Sequence, residues 1–409
     1  MEGQATEGLL RFFRGIPDRR AANARHPLGD VLGIAVLAVL CGAEGWAAVE
    51  AWGLGNEPWL ATFLDLPHGI PSHDTFDRVF ALLDPLAFEK CFTAFTAALV
   101  AGTKGSFVAV DGKTLRRSWR RGWSKTPVHL VSAFVAKNHV VLGQLATDGK
   151  SNEITAIPKL LAMMDLAGAT VTIDAMGCQR DIAAQVRRQH AHYVLAAKDN
   201  QPGLHAAVKA LLDEAALFGP HGSADLPCGY FESHDTVNSH GRVEARRVWV
   251  MSDVAALGEG LLSLWPGLAG GSVVRVESVR QDLGDFPGPD RPAGVSVERR
   301  YFITSHDAAS AGVDGPDALA RFLGEGIRGH WGIENGLHWC LDVAMREDDS
   351  RIRVGHGAEN FSRLRRIALN KLKRWELKRE NGTVIKAGIR LKQQSCGWSR
   401  EFLIQALLA

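Results

Sequence analysis

Three carboxylates stand out by their surroundings. Asp111 closes the apolar run in "SFVAVDGKTL", Asp174 closes "ATVTIDAMG", and Glu334 sits among the tryptophans and histidines of "HWGIENGLHW". A glycine follows soon after each aspartate, Gly112 and Gly177. An aspartate at a strand end is commonly a turn former or helix cap, so neither one alone points to chemistry. Two of them with a carboxylate on a later helix make a set of hard oxygen donors. Such a set suits Mg²⁺, which keeps water and substrate phosphate in its shell. Two ions about 4 Å apart can clamp the attacking and leaving oxygens of a phosphodiester in line. Asp342 and the run Glu347, Asp348, Asp349 compete with Glu334 for the third place. These rivals suit a solvated turn and helix cap equally well, so Glu334 is preferred.

The pattern of elements must bring these groups together. Residues 1–100 read as helical, with an apolar run at Val31 to Leu40 and a Ser72 or Asp74 cap before "FDRVFALL". From about residue 101 to 221 the order is strand, hairpin, helix, strand, helix, strand, helix, the hairpin turning at Lys137-Asn138-His139. That order predicts an α/β unit in which a mixed sheet carries flanking helices, with its first and fourth strands as neighbours. Residues 222–305 read as a β-rich insertion. Residues 306–380 return to helix and complete the α/β unit, and 381–409 are left as a tail. A last amphipathic helix from Glu359 to about Trp375 places Phe361, Leu364, Ile367, Ala368 and Leu372 on one side and its basic residues on the other.

Composition narrows the class. At 409 residues the chain is long for one domain, and its 46% hydrophobic and 22% charged content is ordinary for a globular protein. The net charge is only +2, so a polyanion partner must be read from local charge. Between Arg351 and Glu380 there are ten Lys/Arg against three acids, and "RRSWRRGWSK" at Arg116 to Lys125 is a second basic patch. Either is a footprint for phosphate backbones or a solvated face. The six cysteines show no metal or redox spacing, which predicts reduced thiols inside a cell. The longest apolar run is too short to span a bilayer. "GQLATDGKS" imitates a phosphate-binding loop, but five residues separate Gly143 from Gly149 where that loop needs four.

Among supporting residues, Lys113 and Lys198 either position phosphates or face solvent. His240, Arg242, Glu244 and Arg246 alternate along one strand, which suits DNA backbone contacts or an ion-paired ladder equally. Trp249 and Trp265 either pack in a core or stack on an extruded base. His330, Trp331, His338 and Trp339 are expected to anchor the glutamate helix, without metal binding by a histidine.

Six stretches in order carry a resemblance: "VDGKTLR", "TIDAMGCQ", "YVLAAKDNQ", "HGRVEARR", "YFITS" and "HWGIENGLHWCLDVAMREDDSRIR". From near His26 to about Lys373 the chain resembles the H-repeat-associated insertion-sequence transposases, bacterial DDE transposases with a ribonuclease-H-like catalytic domain. The resemblance implies that Asp111, Asp174 and Glu334 are both catalytic residues and metal ligands, with Mg²⁺ as cofactor and Mn²⁺ able to substitute. It implies cleavage of double-stranded DNA at the inverted repeats of an element and transfer of the 3′-hydroxyl into target DNA. It also implies a homodimer or larger assembly on DNA, cytoplasmic and on the nucleoid. The N-terminal helices are expected to bind element ends. Lys113, Lys198, Arg242, Arg246, Arg328, His330, Arg363 and Arg366 are expected to contact DNA. The wider group carries a Tyr, Arg, Glu, Lys signature; here Ile327, His330 and Leu341 take the tyrosine, arginine and lysine positions. Two alternatives stand beside this reading: a stand-alone nuclease on the same fold, and a non-catalytic DNA-binding protein derived from a transposase.

Overall fold

A computed structural model describes residues 2–20, 23–100, 102–119, 126–147, 152–237, 242–282, 295–379 and 381–409. In chain order the helices begin with α1 (Glu2–Leu10), α2 (Leu28–Leu40), α3 (Trp46–Leu60), α4 (His73–Leu82) and α5 (Pro85–Leu99). Strands β1 (Phe107–Thr114), β2 (His129–Val135) and β3 (Val140–Thr147) follow, then α6 (Glu153–Leu161), β4 (Thr170–Ile173), α7 (Arg180–Arg188), β5 (His192–Ala197) and α8 (Pro202–Leu217). Next come β6 (Gly229–Val237), β7 (Arg242–Met251), the short α9 (Glu259–Leu262), β8 (Ser272–Asp282) and β9 (Val295–Thr304). The chain closes with α10 (Ala308–Ala311), α11 (Gly315–His330), α12 (Gly357–Arg374), α13 (Ile389–Trp398) and α14 (Arg400–Leu408). None of the described helices is long and apolar enough to cross a membrane.

The chain divides into two compact units, one of Met1–Gly102, Asp111–Met164 and Gly332–Ala409, the other of Thr103–Val110 and Asp165–Trp331. In the first, α2 is apolar on every side and buried from Asp30 to Leu40, the pattern of a helix enclosed by neighbours. Ser72 caps α4 by accepting the Thr75 N–H, and Asp84 caps α5 ahead of Pro85 at its first position. Strands β2 and β3 form the expected antiparallel hairpin. The phosphate-loop lookalike ends at residues 148–151, outside the described residues, as do residues 120–125 of the basic patch. Helix α12 departs from expectation. It packs against α2, α4, α5, β3, α13 and α14, and every residue from Gly357 to Leu372 is buried. The segment expected as a tail is therefore a helical pair that packs on α12, with Lys371 Nζ donating to the Leu407 carbonyl at 2.8 Å.

The second unit is a mixed sheet in the order β1-β4-β5-β9-β8-β7-β6. Strand β4 lies parallel to both β1 and β5, and β5 meets β9 antiparallel. The stretch expected as a separate β-rich insertion extends this sheet, because β5 offers its free edge to β9 through Val194↔Thr304 to Ala197↔Tyr301. Helix α11 covers one face with Leu319, Ala320, Leu323 and Ile327 against Val248, Val274 and Phe302. Each of these side chains except Ala320 contributes about 1.5–3 kcal/mol by leaving water. Gly326 permits the approach of α11 to β1, since a Cβ there would stand 2.1 Å from the Phe107 ring.

Candidate metal centre

Strand geometry puts Asp111 and Lys113 on one face of β1, since alternate residues share a face. Both meet the segment that follows Gly332. Glu334, His338 and Asp342 are spaced by four, and the backbone carrying them is π-helical over Glu334–His338 and Cys340–Ala344. In an α-helix a spacing of four overshoots the 3.6-residue turn, so a stripe drifts around the helix. The wider π turns, closed by bonds such as Met345 N–H to the Cys340 carbonyl at 3.2 Å, offset that drift. The result is one polar stripe along β1. His338 Nδ1 lies 3.5 Å from Asp111 Oδ2 and 3.5 Å from Glu334 Oε2, while Lys113 Nζ lies 2.6 Å from Asp342 Oδ1.

Asp111, Glu334 and His338 each bring one donor atom within 4.8 Å of the others. The set fits a divalent cation in both charge and donor type. The carboxylates remain accessible, with 20% of the Asp111 side chain and 51% of the Glu334 side chain exposed, whereas His338 is buried. Behind Asp111, Gly112 faces the buried pair His129 Nε2 and Glu153 Oε1 at 2.5 Å, and His129 Nδ1 meets Thr114 Oγ1 at 2.8 Å.

The rival carboxylates are engaged otherwise. Lys113 joins Asp342 to Asp348 at 3.1 Å, Arg116 adds a second contact to Asp348 at 3.1 Å, and Asp349 meets Arg117 at 3.1 Å. Burial pushes the Asp342 carboxyl up, against the pull of Lys113. Glu347 is buried against Arg366 at 3.1 Å and accepts from Ser362 at 2.7 Å. Burial alone would raise its carboxyl, but the charges of Arg366, Arg365 and Lys113 hold it below the usual range.

Asp174 lies in the second unit, exposed, where its Oδ1 accepts from the amides of Met176 at 3.1 Å and Gly177 at 3.3 Å. Its predecessor Ile173 is the register partner of Val110, the residue before Asp111. Lys198 is exposed just beyond β5, and Arg328 is exposed on α11. His330 Nδ1 lies 2.9 Å from Thr172 Oγ1.

Several expected DNA contacts have other partners. Lys113 neither faces solvent nor is open to a phosphate, being buried between two carboxylates. Arg363 and Arg366 are fully buried, Arg363 on Glu89 at 2.6 Å, because α12 is surrounded rather than one-sided. Arg246 pairs with Glu244 at 2.8 Å, as in the ladder reading; the side chain of Arg242 and the whole of His240 lie outside the described residues. Trp249 and Trp265 are buried, which makes both core residues. Sequence reasoning gave His338 only a packing role. The signal that finds it is the spacing of four through Glu334, His338 and Asp342.

Residues 10–96 match the DDE_Tnp_1-associated family model and residues 102–214 match the Transposase DDE domain, which includes Asp111 and Asp174 but stops before Glu334. The chain is 39% identical to "Putative transposase YncI" of Escherichia coli O157:H7, covering 90% of this chain and 87% of that one. It is 36% identical to "H repeat-associated putative transposase YhhI" of Escherichia coli strain K12, covering 98% and 97% of the two chains. Among solved structures, a piggyBac transposase synaptic complex with hairpin DNA matches at a TM-score of 0.43 and 11% identity, over 100% of this chain and 82% of that one, too distant to carry an argument. The chain belongs to the DDE transposases, in their H repeat-associated group.

Proposed function

We propose that this chain is a DNA transposase that cleaves the ends of an insertion element and joins the freed 3′-hydroxyl to target DNA. The observation that carries the reading is the meeting of Asp111 and Glu334, far apart in sequence, around one donor cluster with His338. In this reading Asp111, Asp174 and Glu334 hold divalent cations, Mg²⁺ with Mn²⁺ as substitute. Cations held there would neutralise charge on the attacking and leaving oxygens of the phosphodiester. The carboxylates act as ligands and not as nucleophiles, so no covalent protein–DNA intermediate forms. The pairing of Val110 with Ile173 supports a shared role for Asp111 and Asp174. The occupation of Asp342, Asp348 and Glu347 in ion pairs supports Glu334 as their companion.

The rest of the reading follows from the family. Part of the mixed sheet with its flanking helices is ribonuclease-H-like, formed by residues 101–221 and 306–380, with 222–305 as the insertion and 1–100 binding the element ends. In this reading Lys198, Arg242, Arg328 and His330 contact DNA, and the protein works as a homodimer or larger on paired ends. It acts in the bacterial cytoplasm, at the nucleoid.

The test is a strand-transfer reaction with DNA carrying the inverted repeats that flank the reading frame, pre-cleaved or intact, plus a target plasmid and Mg²⁺. Joined products are expected, and Asp111→Asn should abolish both cleavage and joining while DNA binding persists. Nicking without joining would mark a stand-alone nuclease, and binding without cleavage a non-catalytic derivative. Unchanged cleavage by Asp111→Asn would remove Asp111 from the site.

A further inference from the structure

The acidic triad leaves His338 without a role, yet its ring occupies the middle of the cluster. Nδ1 stands at the same 3.5 Å from an oxygen of Asp111 and an oxygen of Glu334. Two donors bound to one ion at about 2.1 Å, at angles near 90–110°, stand roughly 3.0–3.4 Å apart. The spacing is therefore close to that of a preformed ligand set. The ring is 6% exposed, and its Nε2 is buried with no hydrogen-bond partner among the described residues. Nδ1 is the ring nitrogen that faces both carboxylates, the atom through which the ring can meet an ion between them.

We infer that His338 is a metal ligand through Nδ1, giving the site one nitrogen and at least two carboxylate donors, so that the substitute ion Mn²⁺ gains more from the ring than Mg²⁺ does. The inference rests on the reading of Asp111 and Glu334 as cation ligands and adds the donor that tells the two ions apart. Imidazole raises affinity for transition cations, whereas Mg²⁺ gains little from a nitrogen donor and prefers oxygen and water. Glu334 and His338 then act as a pair from one π turn, and Asp111 closes the set from β1.

The experiment needs no DNA. Mn²⁺ alone is titrated into the full chain and followed by electron paramagnetic resonance, with Mg²⁺ as competitor. Nitrogen hyperfine coupling to the bound Mn²⁺ is expected in the unmodified protein and should disappear in His338→Gln. That variant should bind Mn²⁺ about tenfold more weakly or worse, with its Mg²⁺ affinity changed less than about twofold. Mn²⁺ that binds in an Asp111-dependent way but shows no nitrogen coupling would overturn the inference and leave the acidic site standing. If Mn²⁺ binding is not lost in Asp111→Asn, both the inference and the site reading fall. The coupling is read on the unmodified chain, so a misfolded variant does not decide the result.

Discussion

Two regions of this molecule use the same ions to different ends. Around α12, Arg363 meets Glu89 at 2.6 Å and Arg366 meets Glu347 at 3.1 Å, all four side chains fully enclosed. Across β6 to β9, the register places Glu232, Arg247, Glu277 and Arg299 in one rung of alternating sign. The distances there are 3.1, 3.5 and 2.8 Å, but the arginines remain about half exposed, at 42% and 53%. Solvent screens the ladder, whereas the pairs on α12 are enclosed by protein. The enclosed pairs do not make α12 stable by their attraction alone, because removing charges from water offsets most of that gain. What they do is make each partner indispensable to the other.

That difference sets the order of the expected effects. Arg363→Ala should be the most damaging, about 3–5 kcal/mol in denaturant unfolding, because it strands Glu89 at full burial. The pair Arg363→Met with Glu89→Gln should recover much of that loss, since the amide oxygen can still accept the Gln144 N–H now bound at 2.7 Å. If the double variant is as unstable as the single, the stranded charge is not the cause. Gly112→Ala ranks next. Its Cβ would stand 2.3 Å from Glu153 Oε1 and 2.6 Å from His129 Nε2, forcing that buried pair apart at about 1–3 kcal/mol. A melting temperature within a degree of the parent would show that the strand yields more easily than its packing implies.

Burial that outweighs a countercharge is a third case. His306 stacks on His192 at 3.9 Å, and burial, then the neighbouring charges of His192 and Arg187, lowers its ring to about 3. The unfolded chain takes up that proton near pH 6.5, well before the folded one. Stability is therefore full above about pH 6.5 and falls as pH drops toward 3, by at most about 1.4 kcal/mol per pH unit for this group. Thermal melts between pH 7 and 4.5 should show the decline, and His306→Asn should flatten it. An equal slope in the variant would assign the decline to other groups. The smallest effect belongs to the ladder: Arg299→Ala should change stability by less than about 1 kcal/mol, and less still in high salt. A larger loss would mean that the rung behaves as a buried network.

Much of the site was legible because it depends on short-range pattern. The runs ending at Asp111 and Asp174 are apolar enough to be strands, and their parallel pairing through Val110↔Ile173 follows from their place in the order. The preference for Glu334 over Asp342 and the acidic run agrees with the ion pairs those rivals make. What failed was partner choice over long range. Nothing near Arg363 in sequence announces Glu89, 274 residues away, and a basic helix face reads the same whether water or carboxylates await it. Lys113 was misread for the same reason, its partners lying more than 200 residues downstream. His338 was expected to anchor the glutamate helix, and the π turns that carry it beside Asp111 and Glu334 leave no mark in composition.

The π turns also give the helix a fragile punctuation. Removing a single residue between His338 and Asp342 while the turns on either side persist would take one step out of the stripe. Every side chain beyond the cut would swing by about 100° around the axis. Asp111, Glu334 and His338 would keep their address while Asp342 and Asp348, both beyond the cut, were displaced from the buried ammonium of Lys113. One codon, and not any change of residue type, separates an aligned stripe from a broken one.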